Sequence, residues 1–538
     1  MAFFDVIMWS DYGGDICGQV AGTAFVVCVG SYVLLRVWRS YCIDRKIKTK
    51  QESLKKSLQL LSEQLRTEGV SSVHRDKILE LSLAELQQKL QSGELTAMEV
   101  LRAYQSKAMQ MNEHLNCVVE PIWEAQALAT ECDLESKKKG PLHGIPISLK
   151  EAFYVQGYDC TAGMLHYVDK PVQDDAVLVK VLKRQGAIPF VRTNLPQTML
   201  GIETSNPISG LTKNPCDQTR CAGGSSGGEG ALIGGGGSLL GFGDDIGGSI
   251  RIPSAFCGIC GFKPTSERLS TRGIFPLGSG QTLVRDAVGP MAKEVDSLVL
   301  SMQCLTVPYM YELDPFIPVM PFRTEVYEKK TPLRVGFYTW DGCIHPTPAV
   351  ARAVMVAKSA LEKMGHTVVE FKPPRAREAF IEIFLKTMFG DGLHEIRKDL
   401  KYDRIDPVIR LTYYGFSLPY FIRRIISFLI HFIEPMTADV LKLKTTTVGE
   451  WWNLAQKIDE YKLEFVKSWR NKKLDAVICP ALACTPVPLH KTGDVINSVS
   501  YLGLFNLLNC PCGVLPVTRI TKDDDKKLAD PSVYSTEI

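Results

Sequence analysis

The sequence predicts an α/β protein, a large twisted mixed β-sheet covered by helices, with an N-terminal transmembrane helix ahead of it. Beyond Cys117, short apolar runs alternate with helical segments and glycine-rich loops, the texture of a mixed sheet under helices. Near the N-terminus, residues 16–35 carry no charge at all. The 538 residues are 45% hydrophobic, which supports a sizeable core and excludes long disorder over most of the chain. With a net charge of +3, no global excess of positive charge argues for nucleic acid, and none is expected as a partner. The 16 cysteines fall far below the share found in disulfide scaffolds and, with no secretory leader, read as reduced thiols.

At about 1.5 Å per residue, the uncharged stretch is long enough to cross roughly 30 Å of hydrocarbon. No Lys or Arg precedes it, whereas Arg36, Arg39, Arg45, Lys46, Lys48 and Lys50 follow, and Trp38 sits where an interfacial anchor belongs. The expected organisation is an extramembrane segment over 1–15 and a single span over 16–38, with the N-terminus outside and the rest cytoplasmic. A basic linker and amphipathic helices follow over 39–112. A buried core helix is the alternative reading of the span. Ser82-Leu83-Ala84-Glu85 and Thr96-Ala97-Met98-Glu99 have capping-box form, with Gly93 as the stop between two helices. Strands are expected at 145–149, 188–191, 333–338, 368–371, 476–479 and 514–517, and a frayed polar tail over 522–538.

The chemistry concentrates where Gly223-Gly224-Ser225-Ser226-Gly227-Gly228-Glu229-Gly230 is followed by Gly243-Asp244-Asp245-Ile246-Gly247-Gly248-Ser249-Ile250-Arg251. So many glycines imply backbone that approaches a ligand closely or adopts positive φ. Nucleotide-loop readings lack their working atoms, since there is no Gly-Lys-Ser/Thr ending and no G-x-G-x-x-G after a clear strand. Residues 223–227 formally match G-x-S-x-G, but no strand precedes them, and a Ser-His-Asp esterase would have to recruit His345, His366, His394, His431 or His490. Ser249, behind two glycines whose N–H groups can face a developing oxyanion, suggests instead two serines and a lysine.

The stretch 223–264 resembles the signature of the amidase signature family, and Pro141-Leu142-His143-Gly144-Ile145-Pro146-Ile147-Ser148-Leu149-Lys150 resembles its lysine strand. With Leu195-Pro196-Gln197, Pro321-Phe322-Arg323 and Val499-Ser500-Tyr501, the likeness extends over most of the chain to the family's lipid-amide-cleaving members. It implies the amidase signature fold, with a catalytic domain over 113–521 and a membrane-facing cap at 405–441. It also implies a membrane-bound serine hydrolase that cleaves fatty acid amides, N-acylethanolamines or primary amides, through an acyl-enzyme. By position, Lys150 is the base, Ser225 the relaying serine, with Ser226 left open beside it, and Ser249 the nucleophile. The N–H groups of Ile246, Gly247, Gly248 and Ser249 form the oxyanion hole, and Asp245 and Arg251 fix the loop as a pair. A lysine ending an apolar strand is desolvated, which favours its neutral amine. Met199, Leu200, Ile202, Phe389 and Val499 are the expected substrate-binding residues. No cofactor and no metal are expected; a homodimer on endoplasmic-reticulum and other internal membranes is.

Two departures from the family pattern stand out. Gly243-Asp244-Asp245 replaces the usual Gly-Thr-Asp, adding a carboxylate that depresses activity or shifts the pH profile, and the chain ends short of a closing strand that the family carries. A catalytically impaired lipid-binding paralogue is therefore the non-enzyme alternative. The aromatic-rich segment 409–432, interrupted by Pro419 and by Arg423 and Arg424, is expected to lie in the headgroup layer as a helical hairpin. Cys257-Gly258-Ile259-Cys260 has metal or redox spacing but lies in an apolar run and reads as packing thiols.

Overall fold

The computed structural model describes residues 14–68, 71–135, 137–276, 278 and 280–530, with side chains from residue 24 onward; the expected extramembrane segment falls almost wholly outside them. The first element is one helix, Gly14–Glu68. Its early turns are bare, with Phe25, Leu34 and Trp38 more than 60% exposed. Its later turns dock on the body, where Lys46 Nζ donates to the carbonyls of Leu165 and Val168 and Lys50 pairs with Asp159 at 2.8 Å. The expected basic linker is thus no linker. The helix runs straight through residue 38, and two of its lysines bind protein rather than solvent. Both expected capping boxes form, and Gly93 closes the first of their helices in the left-handed region at φ 76°.

Twelve strands follow among the described residues: β1 Val118–Pro121, β2 Pro146–Lys150, β3 Ile188–Thr193, β4 Ser205–Asn206, β5 Gly210–Leu211, β6 Leu240–Asp245, β7 Cys260–Lys263, β8 Ala287–Ala292, β9 Arg334–Phe337, β10 Thr367–Glu370, β11 Ala476–Ile478 and β12 Cys512–Val514. Seven build the mixed sheet, in the order β1-β3-β2-β6-β8-β7-β12. Its centre is parallel, β2 lying between β3 and β6, and the remaining pairings are antiparallel. Three of the six expected strands lie outside it, as a small parallel sheet in the order β10-β9-β11. One core packs the helices of the N-terminal third on the large sheet, and a second gathers the helices of the C-terminal half around Phe380, Phe384 and Tyr501.

Two expectations at the periphery change. The tail is not wholly frayed: Thr521 caps the helix Lys522–Leu528, and its Asp524 is buried against Arg352 at 2.8 and 2.9 Å. The hairpin forms as helices Pro407–Ser417 and Tyr420–Ile430, with Leu411, Phe421, Phe428, Leu429 and Phe432 all at least 65% exposed. Arg423, however, turns inward. It is 6% exposed and donates to Leu443 O at 2.6 Å, its guanidinium lying over Phe416 and Tyr420, so Arg424 alone of the pair remains for a headgroup layer.

Candidate active site

Because β2 and β6 are parallel neighbours, their carboxyl ends emerge at the same sheet edge, where ligands collect in open α/β sheets. Lys150 closes β2, and Asp244 and Asp245 close β6. Strand alternation sends the two carboxylates to opposite faces. Asp244 Oδ1 forms an ion pair with Lys150 Nζ at 2.5 Å and has no hydrogen-bond partner among the described residues. Asp245 instead receives Arg251 Nε and Nη2, each at 2.9 Å, together with Asn506 Nδ2 at 3.0 Å. Burial would raise the Asp245 carboxyl, but Arg251 outweighs it and holds the group well below the usual carboxylate range. The expected loop-fixing pair is therefore present and buried on both sides.

Lys150 is fully buried and its Nζ stands 2.6 Å from Ser225 Oγ. Ser225 follows a cis peptide bond from Gly224. Gly223 sits at φ 85°, where an added Cβ would come within 2.7 Å of Pro253 Cα, so the chain passes there only without a side chain. Ser226 uses its N–H on Ser249 O at 3.1 Å, and its buried hydroxyl has no hydrogen-bond partner among the described residues. Of the adjacent serines it is Ser225 that faces the lysine.

Ser249 lies half-buried on the turn between β6 and the helix Arg251–Cys257, and its hydroxyl has no partner among the described residues. Asp245 shapes this turn from within, accepting Gly248 N–H at 2.8 Å and Ile250 N–H at 3.2 Å. That narrows the expected oxyanion hole. The Gly248 N–H is already engaged, while those of Ile246, Gly247 and Ser249 have no partner among the described residues. Gly248 itself is required at φ 124°, with Leu502 Cδ1 2.5 Å from any added Cβ.

A cavity of about 380 Å³ opens from Ile246 and Leu200 past Met388 and Leu393 to Trp451. Leu200 lines it. Met199 and Ile202 are not on its wall: Met199 joins the main core, and Ile202 packs with Ile252 and Phe256 in a separate cluster. Of these three residues only Leu200 lines the cavity. Phe389 stacks on Phe416 at 5.2 Å beside it. Val499 stands next to Gly247, as does Phe384, whose ring lies 3.5 Å from where a Gly247 Cβ would be. Phe384, Met388 and Trp451 had gone unread. The i, i+4 pair Phe380 and Phe384, stacked at 5.7 Å, was the available signal.

The histidine contacts that are seen lie elsewhere. His490 N–H goes to Glu203, His366 accepts from Leu333 N–H, and His345 stacks on Trp340. Cys257 and Cys260 are buried, their thiols donating to the carbonyls of Ala222 and Lys293.

The family model described as Amidase matches residues 99–532. The chain is 36% identical over 536 residues to fatty-acid amide hydrolase 1 of Sus scrofa, covering 99% of this chain and 91% of that protein. It is 38% identical over 461 residues to fatty acid amide hydrolase 1 of Caenorhabditis elegans, covering 84% of this chain and 80% of that protein. A solved structure of a fatty acid amide hydrolase superposes with a TM-score of 0.76 at 27% identity, covering 91% of this chain and 87% of the other.

Proposed function

The chain belongs to the amidase family, whose members hydrolyse amide C–N bonds, and from that premise we propose that it cleaves long-chain acyl amides at a membrane through Lys150, Ser225 and Ser249. The observation that carries the proposal is the buried Lys150 Nζ at 2.6 Å from Ser225 Oγ, at the edge where the Ser249 turn and an apolar cavity meet.

In this mechanism, the free amine of Lys150 takes the proton of Ser225 Oγ while Ser225 takes that of Ser249 Oγ. The Ser249 oxygen attacks the acyl carbonyl. Charge developing on the carbonyl oxygen is met by the N–H groups of Ile246, Gly247 and Ser249, donors fixed beforehand because Asp245 and Arg251 hold the turn. The proton then returns through Ser225 to the leaving nitrogen, the C–N bond breaks, and water releases the acid from Ser249 by the same relay. Early protonation of nitrogen is what lets an amide react as readily as an ester.

The cavity beside Ile246 supports an apolar acyl group, and the names of the two hydrolase relatives support a fatty acid amide. The bare early turns of Gly14–Glu68 and the exposed face of the hairpin support attachment to a membrane with the catalytic body on the basic side.

A fluorophosphonate probe tests the nucleophile. Labelling is expected in the wild type and absent in Ser249→Ala, with slower labelling in Ser225→Ala. A folded wild-type protein that takes no label would favour the catalytically impaired lipid-binding alternative.

A further inference from the structure

A backbone donor serves an oxyanion best when its peptide plane is fixed before charge develops. The pairing of β6 with β8 ends at Asp245, opposite Ala287, and the peptide joining Asp245 to Ile246 leads out of the sheet into the Ser249 turn. That peptide is trans, so the Asp245 carbonyl and the Ile246 N–H lie in one plane and point in opposite directions. A group that holds the carbonyl on one side therefore aims the N–H on the other.

Asn506 provides such a hold. It lies on the helix Ser500–Leu507, is 4% exposed, and donates from Nδ2 to the Asp245 carbonyl oxygen at 3.2 Å and to Asp245 Oδ1 at 3.0 Å. Its own Oδ1 accepts Arg251 Nη2 at 2.5 Å, and the same Nη2 donates to Asp245 Oδ1 at 2.9 Å, which closes a ring of three side chains. The chemistry of the ring fixes which way the amide lies. A guanidinium only donates and a carboxylate only accepts, so the amide oxygen faces Arg251 and the amide nitrogen faces Asp245. The same helix braces the turn through Leu502, whose carbonyl accepts Arg251 Nη1 at 3.3 Å and whose Cδ1 fills the space beside Gly248.

We infer that Asn506 is a positioning residue for the oxyanion hole, holding the Asp245–Ile246 peptide so that the Ile246 N–H points at the developing charge. The inference rests on the proposed role of Ser249 and its turn. Asn506 acts through Asp245, and its effect belongs to the transition state, where the carbonyl oxygen carries charge, and not to the bound ground state.

The test is steady-state hydrolysis of one fatty acid amide by the full-length wild type, Asn506→Leu, Asn506→Asp and Ser249→Ala, alongside the inhibition constant of a trifluoromethyl ketone with the same acyl chain. The ketone oxygen becomes an oxyanion when Ser249 adds to the carbonyl carbon, so its affinity reads the hole directly. Leucine has nearly the shape of asparagine and makes neither bond; aspartate keeps an acceptor for Arg251 but has no N–H for the Asp245 carbonyl. Thermal unfolding establishes that each variant is folded. In both Asn506 variants kcat is expected to fall about ten- to a hundredfold, short of the roughly 10²–10³ lost with a whole oxyanion-hole donor, with KM unchanged and ketone affinity lowered by the same factor as kcat. A folded variant that keeps wild-type ketone affinity overturns the inference, as does a rise in KM that leaves kcat intact. A loss confined to Asn506→Leu overturns it too, since the bond from Arg251 would then suffice. If neither variant folds, Asn506 serves the fold and the inference falls. If Ser249→Ala keeps wild-type hydrolysis, the proposed nucleophile itself falls. If Ser249→Ala is inactive while the Asn506 variants match the wild type, the nucleophile stands and only the role of Asn506 is lost.

Discussion

Lys150 ends a strand with its amine completely out of solvent, and in the proposed relay it serves twice, activating Ser249 and returning a proton to the leaving group. An amine departs only when protonated, whereas an alkoxide is a better leaving group. Lys150→Ala is therefore expected to reduce hydrolysis of an amide more than that of the ester with the same acyl chain; equal losses in kcat/KM on a matched pair would remove the lysine from the relay. A second buried titratable group gives a stability prediction. Glu229 accepts from Ser148 Oγ and Thr193 Oγ1, and burial raises it from 4.5 to about 8. A carboxyl raised on folding contributes stability that is fully present below its unfolded value and is lost as the pH climbs through the folded one. Stability should thus decline between about pH 4.5 and 8 in the wild type, and denaturant titrations of Glu229→Gln should show that decline flattened. The closeness of Lys150 and Ser225 was legible because both lie in short motifs that carry the family resemblance, and the structure brings their side chains within 2.6 Å. The cavity wall was not: Met388 and Trp451 come from helices distant in the chain, and apolar residue type alone does not distinguish a wall from a core.

Among the elements, the hairpin Pro407–Ser417 and Tyr420–Ile430 was legible from its aromatic density, and its exposed face bears the prediction that belongs to it. Protein lacking residues 1–37 should still sediment with vesicles, because one apolar attachment remains after the other is removed. Replacing Phe421, Phe428 and Leu429 by Ser in that shortened protein should release it to the supernatant. Complete solubility of the shortened protein without those replacements would remove the hairpin from membrane binding. The central strands β6 and β8 escaped the sequence reading for a physical reason. Leu-Gly-Phe-Gly-Asp-Asp and Ala-Val-Gly-Pro-Met-Ala carry the residue types that strands avoid. Close packing demands them: a Cβ on Gly241 would lie 2.5 Å from Ser148 Oγ, and one on Gly243 equally close to Ser226 Oγ. The same constraint that brings the serine loop onto the sheet hides the strand beneath it.

For the whole molecule, the proposed function assigns the acyl group to the cavity of about 380 Å³, beside which the exposed hairpin lies. Each acyl methylene buried should add about 0.8 kcal/mol, so kcat/KM at fixed amine should rise with acyl length from about six carbons upward, within the roughly 1–3 kcal/mol that one methylene can discriminate. A flat series, or a preference for the shortest acyl group, would leave a general amidase with no lipid preference. The division into two cores was only half visible in the sequence. The alternation of strands and helices pointed to one sheet, and nothing in local composition separates β9, β10 and β11 from it. The helix Gly14–Glu68 has a further mechanical consequence. At about 1.5 Å per residue its 55 residues form a shaft of roughly 80 Å, clamped to the body by Lys46 and Lys50 and by Arg404, which grips Asp44 and Ser40. A shaft clamped over several turns transmits torque as well as tension. Under the proposed membrane attachment, the body is not a tethered float free to tumble but a bracket with a set heading. Turning about the membrane normal remains open to it, while rolling the hairpin face away from the lipid would require the shaft to bend or the clamp to open.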